Sequence, residues 1–398
     1  MSFKLRLIPI LLAAIARLGS ISSAYASETV ASPFDIDLSS DPTAIESVNK
    51  PQSSIPTQGQ SPISTVVQNL NPDISFVADF LAGNPAALYQ VDDKIHRPIY
   101  LREMEVDGVG YVSPYAKAIF VVSFGENGDM DVEEANMNFF NLPASLNLKL
   151  GKVIVDTDTI NPLHQHAIPF VERPLIWHHT FGKEGLKTVG ANLSWLVPNP
   201  WDHYFLLSGT FGVNNGDELN SGALYGGNTK STLTNIHLLT SWDFDQHTYL
   251  NMNLSGVFAP LPDGSLTKVY VADFLLRYAP NPDSYAVTFL NGLIWNRGDP
   301  FHTGAQITQG FYNYLGWQFS QRWRVGARYD QTFFPTDNSS FPGNEKEYTG
   351  IISFYPTETN YLRFQAARHQ LPGSAYFENK VWLQLDFTVG PHQQHTAL

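Results

Sequence analysis

Residues Asn147 to Pro174, NLKLGKVIVDTDTINPLHQHAIPFVERP, begin as one kind of structure and end as another. Leu146, Leu148 and Leu150 face one way while Asn147, Lys149 and Gly151 face the other, the period-two pattern of a half-buried strand. The alternation then stops. From Gly151 to Gly185 the chain carries an Asn-Pro break, a His-x-His pair, acids and further prolines, a run far too long for a hairpin turn. Downstream, short alternating strands are joined by alternately short and long connections. That is the pattern of an all-β fold, a transmembrane antiparallel β-barrel, and it makes segment 151–185 a long loop folded into the lumen.

Upstream, Met1 to Ala26 has Lys4 and Arg6, an apolar run from Leu7 to Ala16, and Ala24-Tyr25-Ala26, the three parts of a secretory signal peptide. About ten apolar residues cannot cross the roughly 30 Å of hydrocarbon in a bilayer, so this run is not an anchoring helix. Residues 27–72 are rich in Ser, Pro, Gln, Thr and Asp without periodicity, and read as a disordered periplasmic linker. Within it Glu28-Thr29-Val30 is similar to the short box by which energised receptors engage TonB. The net charge of −13 becomes about −16 when Lys4, Arg6 and Arg17 leave with the signal peptide, which argues against nucleic acid as a partner. With 26 Phe, 18 Tyr, 8 Trp and no Cys, the composition suits a barrel, which closes its hydrogen bonding without disulfides or apolar helices.

The barrel is expected over 73–398. Its first strand, Asp73 to Ala82, turns Ile74, Phe76, Ala78 and Phe80 to lipid and Ser75, Val77 and Asp79 to water. Strand two, Ile99 to Asp107, turns Glu103, Glu105 and Asp107 inward. Ala116 to Phe124 and Met130 to Leu142 follow, joined through the hairpin signal Gly125 to Asp129. Counting on to Lys380–Val389 gives about sixteen strands, with fourteen to eighteen compatible, and an even total lets the last strand pair with the first. Aromatics flank the short turns: Trp195 and Tyr204, Trp242 and Tyr249, Tyr278 and Tyr285, Phe319 and Trp323, Tyr355 and Tyr361. They read as an interfacial girdle on the periplasmic side, which makes 151–185 the third extracellular loop.

Strand parity places Arg277, Arg324, Arg328 and Arg363 inward, with Asp273, Asp330 and Asp386 among them. The loop contributes Asp156, Asp158 and Glu172. Opposed charges across a constriction set ion preference and orient polar solutes, so these residues form the candidate pore constriction together with His164 and His166. The two histidines are also candidate zinc ligands, although a bare His-x-His lacks a fixed third ligand. No nucleophile elbow, zinc-protease helix motif or phosphate-binding glycine loop occurs, and the chain is not expected to be an enzyme.

Several segments together resemble a known family: Asn71 to Ser75, Val132-Glu133-Glu134-Ala135, Leu142-Pro143, Ile160-Asn161-Pro162-Leu163-His164-Gln165-His166 with Phe170 and Pro174, Leu193 to Pro198, Gly326 to Asp330, and Val389 to His392. They are similar to bacterial outer-membrane proteins labelled zinc-regulated TonB-dependent receptors. The likeness implies a barrel in a Gram-negative outer membrane, linked to metal supply, with His164 and His166 on the family pattern. The label does not transfer whole. A TonB-dependent transporter has 22 strands and a plugged lumen, and the segment from Ser27 to Pro72 is too short and polar for a folded plug. The chain also runs on to Leu398 instead of ending on an aromatic, leaving Phe387 to signal to the assembly machinery.

The expectation is therefore a porin-like channel in contact with outer-membrane lipids, passing small hydrophilic solutes or ions, with a homotrimer as the analogous assembly. The alternative is a gated or TonB-linked receptor for zinc or a metal chelate. An outer-membrane barrel enzyme or structural protein ranks below both.

Overall fold

The computed structural model describes residues 72–84, 86–87, 98–201, 203–213, 231–261, 263–297, 307–333, 343–357 and 359–390. The signal peptide, the linker as far as residue 71 with its TonB-box-like triplet, and the tail histidines His392 and His395 lie outside the described residues.

Sixteen antiparallel strands close on themselves in sequence order. They are β1 (Asp73–Gly83), β2 (Ile99–Ser113), β3 (Ala116–Phe124), β4 (Met130–Leu142), β5 (Leu146–Ile154), β6 (Lys187–Leu196), β7 (Tyr204–Val213) and β8 (Thr232–Asp245). The second half comprises β9 (Thr248–Pro260), β10 (Leu266–Asn281), β11 (Tyr285–Arg297), β12 (Ile307–Ser320), β13 (Trp323–Phe333), β14 (Asn344–Phe354), β15 (Tyr361–Gln370) and β16 (Phe377–Val389). Closure is made by β1 against β16, from Phe76 opposite Val389 to Gly83 opposite Trp382. Every strand has at least 9 residues, enough to cross a bilayer core when tilted.

Alternation decides which side chains meet lipid. Phe120, Leu193, Phe211, Leu254, Leu315, Ile352, Phe364 and Leu385 are exposed on the outer face. Their strand neighbours Asn192, Thr210, Ser255, Gln365 and Asp386 are buried inside. The sheet is thus turned inside out relative to a soluble protein, as a membrane barrel requires. Trp195, Trp242, Tyr278, Tyr285, Phe319 and Trp323 form the outward girdle beside the short turns. Other aromatics of the expected girdle point inward instead. Tyr361 is buried, one residue out of phase with lipid-facing Leu362, and Tyr249 and Tyr355 meet the inward arginines Arg277 and Arg324.

Two register shifts re-aim charges into the lumen. In β2, Asp79 pairs with Glu103 and Phe80 with Leu101, so Arg102 is the extra residue. In β4, Val121 pairs with Glu134 and Val122 with Val132, so Glu133 is.

Strand β5 runs on through Gly151 to Ile154, three residues beyond where the alternation stops. Gly151 has φ 130, and a side chain there would strike the Ala135 carbonyl. Beyond it the inward positions Val153 and Val155 are apolar, because they face a packed loop rather than water. The pattern breaks before the strand does.

Candidate functional site

The connection from β5 to β6, residues 155–186, lies inside the barrel. Its neck is tied by the Val155 N–H to the Leu186 carbonyl, 2.9 Å. Asn161 staples the same point, donating to the Val155 and Leu186 carbonyls while accepting from the Leu186 N–H. Asn161 of the Asn-Pro break thus shuts the loop at its base.

The loop has a core of its own. Ile160, Leu163, Ile168, Leu175, Ile176, Trp177, Phe181 and Leu186 are all buried. A short helix, α1 (Leu175–Phe181), starts after Pro174, whose fixed φ suits a helix start. It ends at Gly182, whose φ of 86 lets its N–H close on the His178 carbonyl. The Trp177 indole donates to Asp158 at 2.9 Å and lies under the Arg173 guanidinium. Arg173 caps the Ile160 and Leu163 carbonyls, and burial pushes its pKa down to about 10. At Gly310 on β12 an added Cβ would come 2.7 Å from Ile176, so the wall gives way where α1 packs.

Wall residues hold this unit from around the barrel. Asn235 of β8 donates to the Asp156 carbonyl, Ser255 of β9 to the Thr157 carbonyl, and Asp273 of β10 accepts from the Thr159 N–H. On the far side, Tyr361 of β15 donates to the His166 carbonyl and Gln365 accepts from the Val171 N–H. Arg102 of β2 donates to the Val171 carbonyl, and Arg328 of β13 to the Glu172 carbonyl, both at 2.7 Å. Arg102 also pairs with Asp79. Polar side chains from β2, β8, β9, β10, β13 and β15 thus reach loop backbone, which fixes the loop across the lumen.

The expected constriction residues fall into distinct settings. Asp156 is half-buried at the loop's start and accepts from Asn192 at 3.2 Å. Asp158 is an internal brace: it accepts the Ile160 and Asn161 N–H groups and the Trp177 indole, and burial raises its pKa. Glu172 stands 4.0 Å from Arg328, and burial beside Glu347 raises its pKa well above the ordinary range. Arg328 pairs directly with Asp330 at 2.7 Å and Glu347 at 3.0 Å, while Lys380 meets Glu347 at 2.8 Å. Arg363 is buried against Gln384 and the Tyr361 ring. Arg277 and Arg324 stand near the short-turn end, beside Tyr249 and Tyr355.

His164 and His166 meet the wall at β2 and β4. His164 Nδ1 is 3.1 Å from Glu133 and 3.4 Å from Glu105, and its Nε2 is 3.6 Å from Glu134. His166 Nδ1 is 3.7 Å from Glu105. Burial alone would lower the His164 pKa, but the surrounding carboxylates Glu105, Glu133 and Glu134 raise it well above the ordinary value. Sequence reading singled out the histidines and placed Glu105 inward without joining them. It missed Glu133, Trp177, Arg173, Tyr361 and Gln365. The run Leu175-Ile176-Trp177 inside an otherwise polar loop was the available sign of a packed core.

No protein-family model matches the chain. An uncharacterized protein of Aquifex aeolicus (strain VF5) is 24% identical over 323 residues, covering 71% of this chain and 67% of that one. Among solved structures, OprB of Pseudomonas putida aligns with a TM-score of 0.56 at 9% identity, over 83% of this chain and 96% of OprB. The outer membrane channel DcaP of Acinetobacter baumannii gives 0.52 at 11%, over 81% and 96%. OmpT, an outer membrane protein of Vibrio cholerae solved in a trimer form, gives 0.51 at 7%, over 80% and 99%. At these identities the similarity is one of fold, a closed sixteen-stranded barrel, and it sets the chain apart from the 22-stranded plan of TonB-dependent transporters.

Proposed function

We propose that the chain is a porin-like channel of a Gram-negative outer membrane, through which small hydrophilic solutes or ions diffuse passively past loop 155–186. The observation that carries this reading is the third connection on the side of a sixteen-stranded barrel opposite the girdled short turns, folded inward and bonded to the wall around the lumen. An apolar outside, a polar inside and a fixed internal constriction are the parts a diffusion channel needs. Similarity to an outer membrane channel supports the reading, and the trimer form of OmpT supports a homotrimer. Lipids of the outer membrane and the barrel assembly machinery are the partners this implies. Receptor function energised through TonB is set aside, since a lumen narrowed by its own loop differs from one filled by a separate plug.

Within the constriction, half-buried Asp156 is the loop acid best placed to act on a passing ion. Asp158 is committed to bracing the loop. Refolded Ser27 to Leu398 in a planar bilayer is expected to give steady single-channel steps with cation preference. Asp156→Asn is expected to move the reversal potential toward anions without changing the step pattern. A barrel that folds and inserts but carries no current would overturn the reading.

A further inference from the structure

We propose that Glu105, Glu133 and His164 form a binding site for one divalent transition-metal ion, clamping the lumenal loop to the barrel wall. The three residues come from three elements: Glu105 from β2, Glu133 from the shifted register of β4, and His164 from the loop. One ligand atom from each lies within 4.8 Å of the others. The site belongs to this barrel whether or not the barrel conducts.

The distances suit a metal site. Bonds of about 2.0–2.1 Å in a tetrahedral site put ligand atoms about 3.3 Å apart. His164 Nδ1 stands 3.1 Å from Glu133 Oε2 and 3.4 Å from Glu105 Oε2. His166 Nδ1, 3.7 Å from Glu105, is within reach as a fourth ligand, and its ring is stacked at 10° on that of His164. The opposite edge of His164 faces Glu134 at 3.6 Å. A carboxylate behind a ligating imidazole is the usual device that orients the ring and raises its basicity.

An independent observation points the same way. Glu105 is buried, and neither of its carboxylate oxygens accepts a hydrogen bond. A buried carboxylate left so is costly unless a cation meets it. Lys187 approaches Glu133 at 3.3 Å and supplies one positive charge. Against Glu105, Glu133 and Glu134 that leaves the pocket acidic, with room for a divalent charge. Nitrogen and oxygen donors without sulfur suit zinc, nickel or cobalt, whereas calcium and magnesium take all-oxygen sites.

The test uses the refolded Ser27 to Leu398 protein in detergent, stripped with chelator and titrated calorimetrically with Zn²⁺, with Co²⁺ absorption as a second readout. One zinc per chain is expected, with a cobalt spectrum of tetrahedral type. Glu134→Gln is expected to weaken binding about 10- to 100-fold, as for other groups that support a ligand. His164→Ala and Glu133→Gln should each weaken it more than that and abolish the cobalt spectrum. A His392→Ala, His395→Ala double variant should bind as the parent does. Heat-modified migration on gels confirms that each variant is folded, and Glu105→Gln replaces any that is not. No uptake of zinc, or uptake unchanged in the folded His164 and Glu133 variants, would overturn the site. Because binding is read without a current, its failure is separate from failure of the channel reading.

Discussion

His164–His166 and His178–His179 are both stacked imidazole pairs on one loop, with ring centroids 5.9 and 6.0 Å apart, yet their surroundings oppose each other. The first pair faces carboxylates on β2 and β4, which hold His164 above its ordinary pKa. In the second, burial beside His179 and Lys183 pushes His178 down to about 4, although Glu345 pulls the other way. Its neighbour His179 meets Glu345 at 2.6 Å, a carboxylate that also takes His369 at 2.7 Å. Identical residue types at like spacing thus acquire opposite electrostatic roles from their surroundings. The loop is held at two ends by different chemistry, a carboxylate cluster at one and a shared acid beside a neutral histidine at the other.

The largest expected effect comes from removing what joins the two ends. Trp177 is the bulkiest fully buried side chain in the loop and links α1 to Asp158. Trp177→Ala is expected to cost about 3–5 kcal/mol of loop order, the usual range for a buried Trp. Limited proteolysis should then cut within 155–186 while the strands stay intact. If the loop remains protected, the wall bonds alone hold it and its internal core is dispensable.

A smaller and one-sided effect is expected from Glu345→Gln. Hydrogen bonds to a charged group contribute about 1.5–3 kcal/mol, and this change weakens those of His179 and His369 together. Hydrogen exchange should quicken over 175–181 and stay unchanged over 162–170. Equal quickening in both segments would mean that the two ends are one cooperative unit.

The smallest effect is that of acid, and His178 and His164 should answer it in opposite directions. His178 has a folded pKa of about 4 against an ordinary 6.5, so the stability it lends is present above pH 6.5 and drains as pH falls toward 4. In the chelator-stripped protein His164, raised above 6.5, lends stability that is full below 6.5 and is lost as pH rises through its higher folded value. Between pH 7 and 4.5 the helix segment should therefore loosen relative to segment 162–170, after correction for intrinsic exchange rates. His178→Asn should remove the loosening of the helix segment, and a variant that still loosens would assign the response to another group.

The barrel was legible because lipid and water impose a period of two on every strand. Phe76 out and Asp79 in could be read from spacing alone, and closure demanded an even strand count near sixteen, which the closed barrel fixes at sixteen. The girdle was legible only in part. Tyr361 borders a turn as a girdle residue does, but it sits one step out of phase and its hydroxyl serves the loop. At the site, spacing revealed His164 and His166 and parity revealed Arg328 and Arg363. What stayed hidden was who meets whom: Asp158 with Trp177, Arg328 with Asp330 and Glu347, Tyr361 with the His166 carbonyl.

By itself the sequence determined an even strand number near sixteen, the faces of the strands, and the inward course of the segment after β5, because each follows from local alternation and its interruption. Only the tertiary structure decided the partners of the loop. Closing the cylinder brings β2, β4 and β15 to the same side chains, although Glu105, Glu133, His164 and Tyr361 are separated by 28 to 256 positions along the chain. The register shift that places Glu133 arises from a mismatch between two strands, β3 and β4. Neither strand carries that information alone, which is why the clamp around His164 became visible only once the barrel was closed.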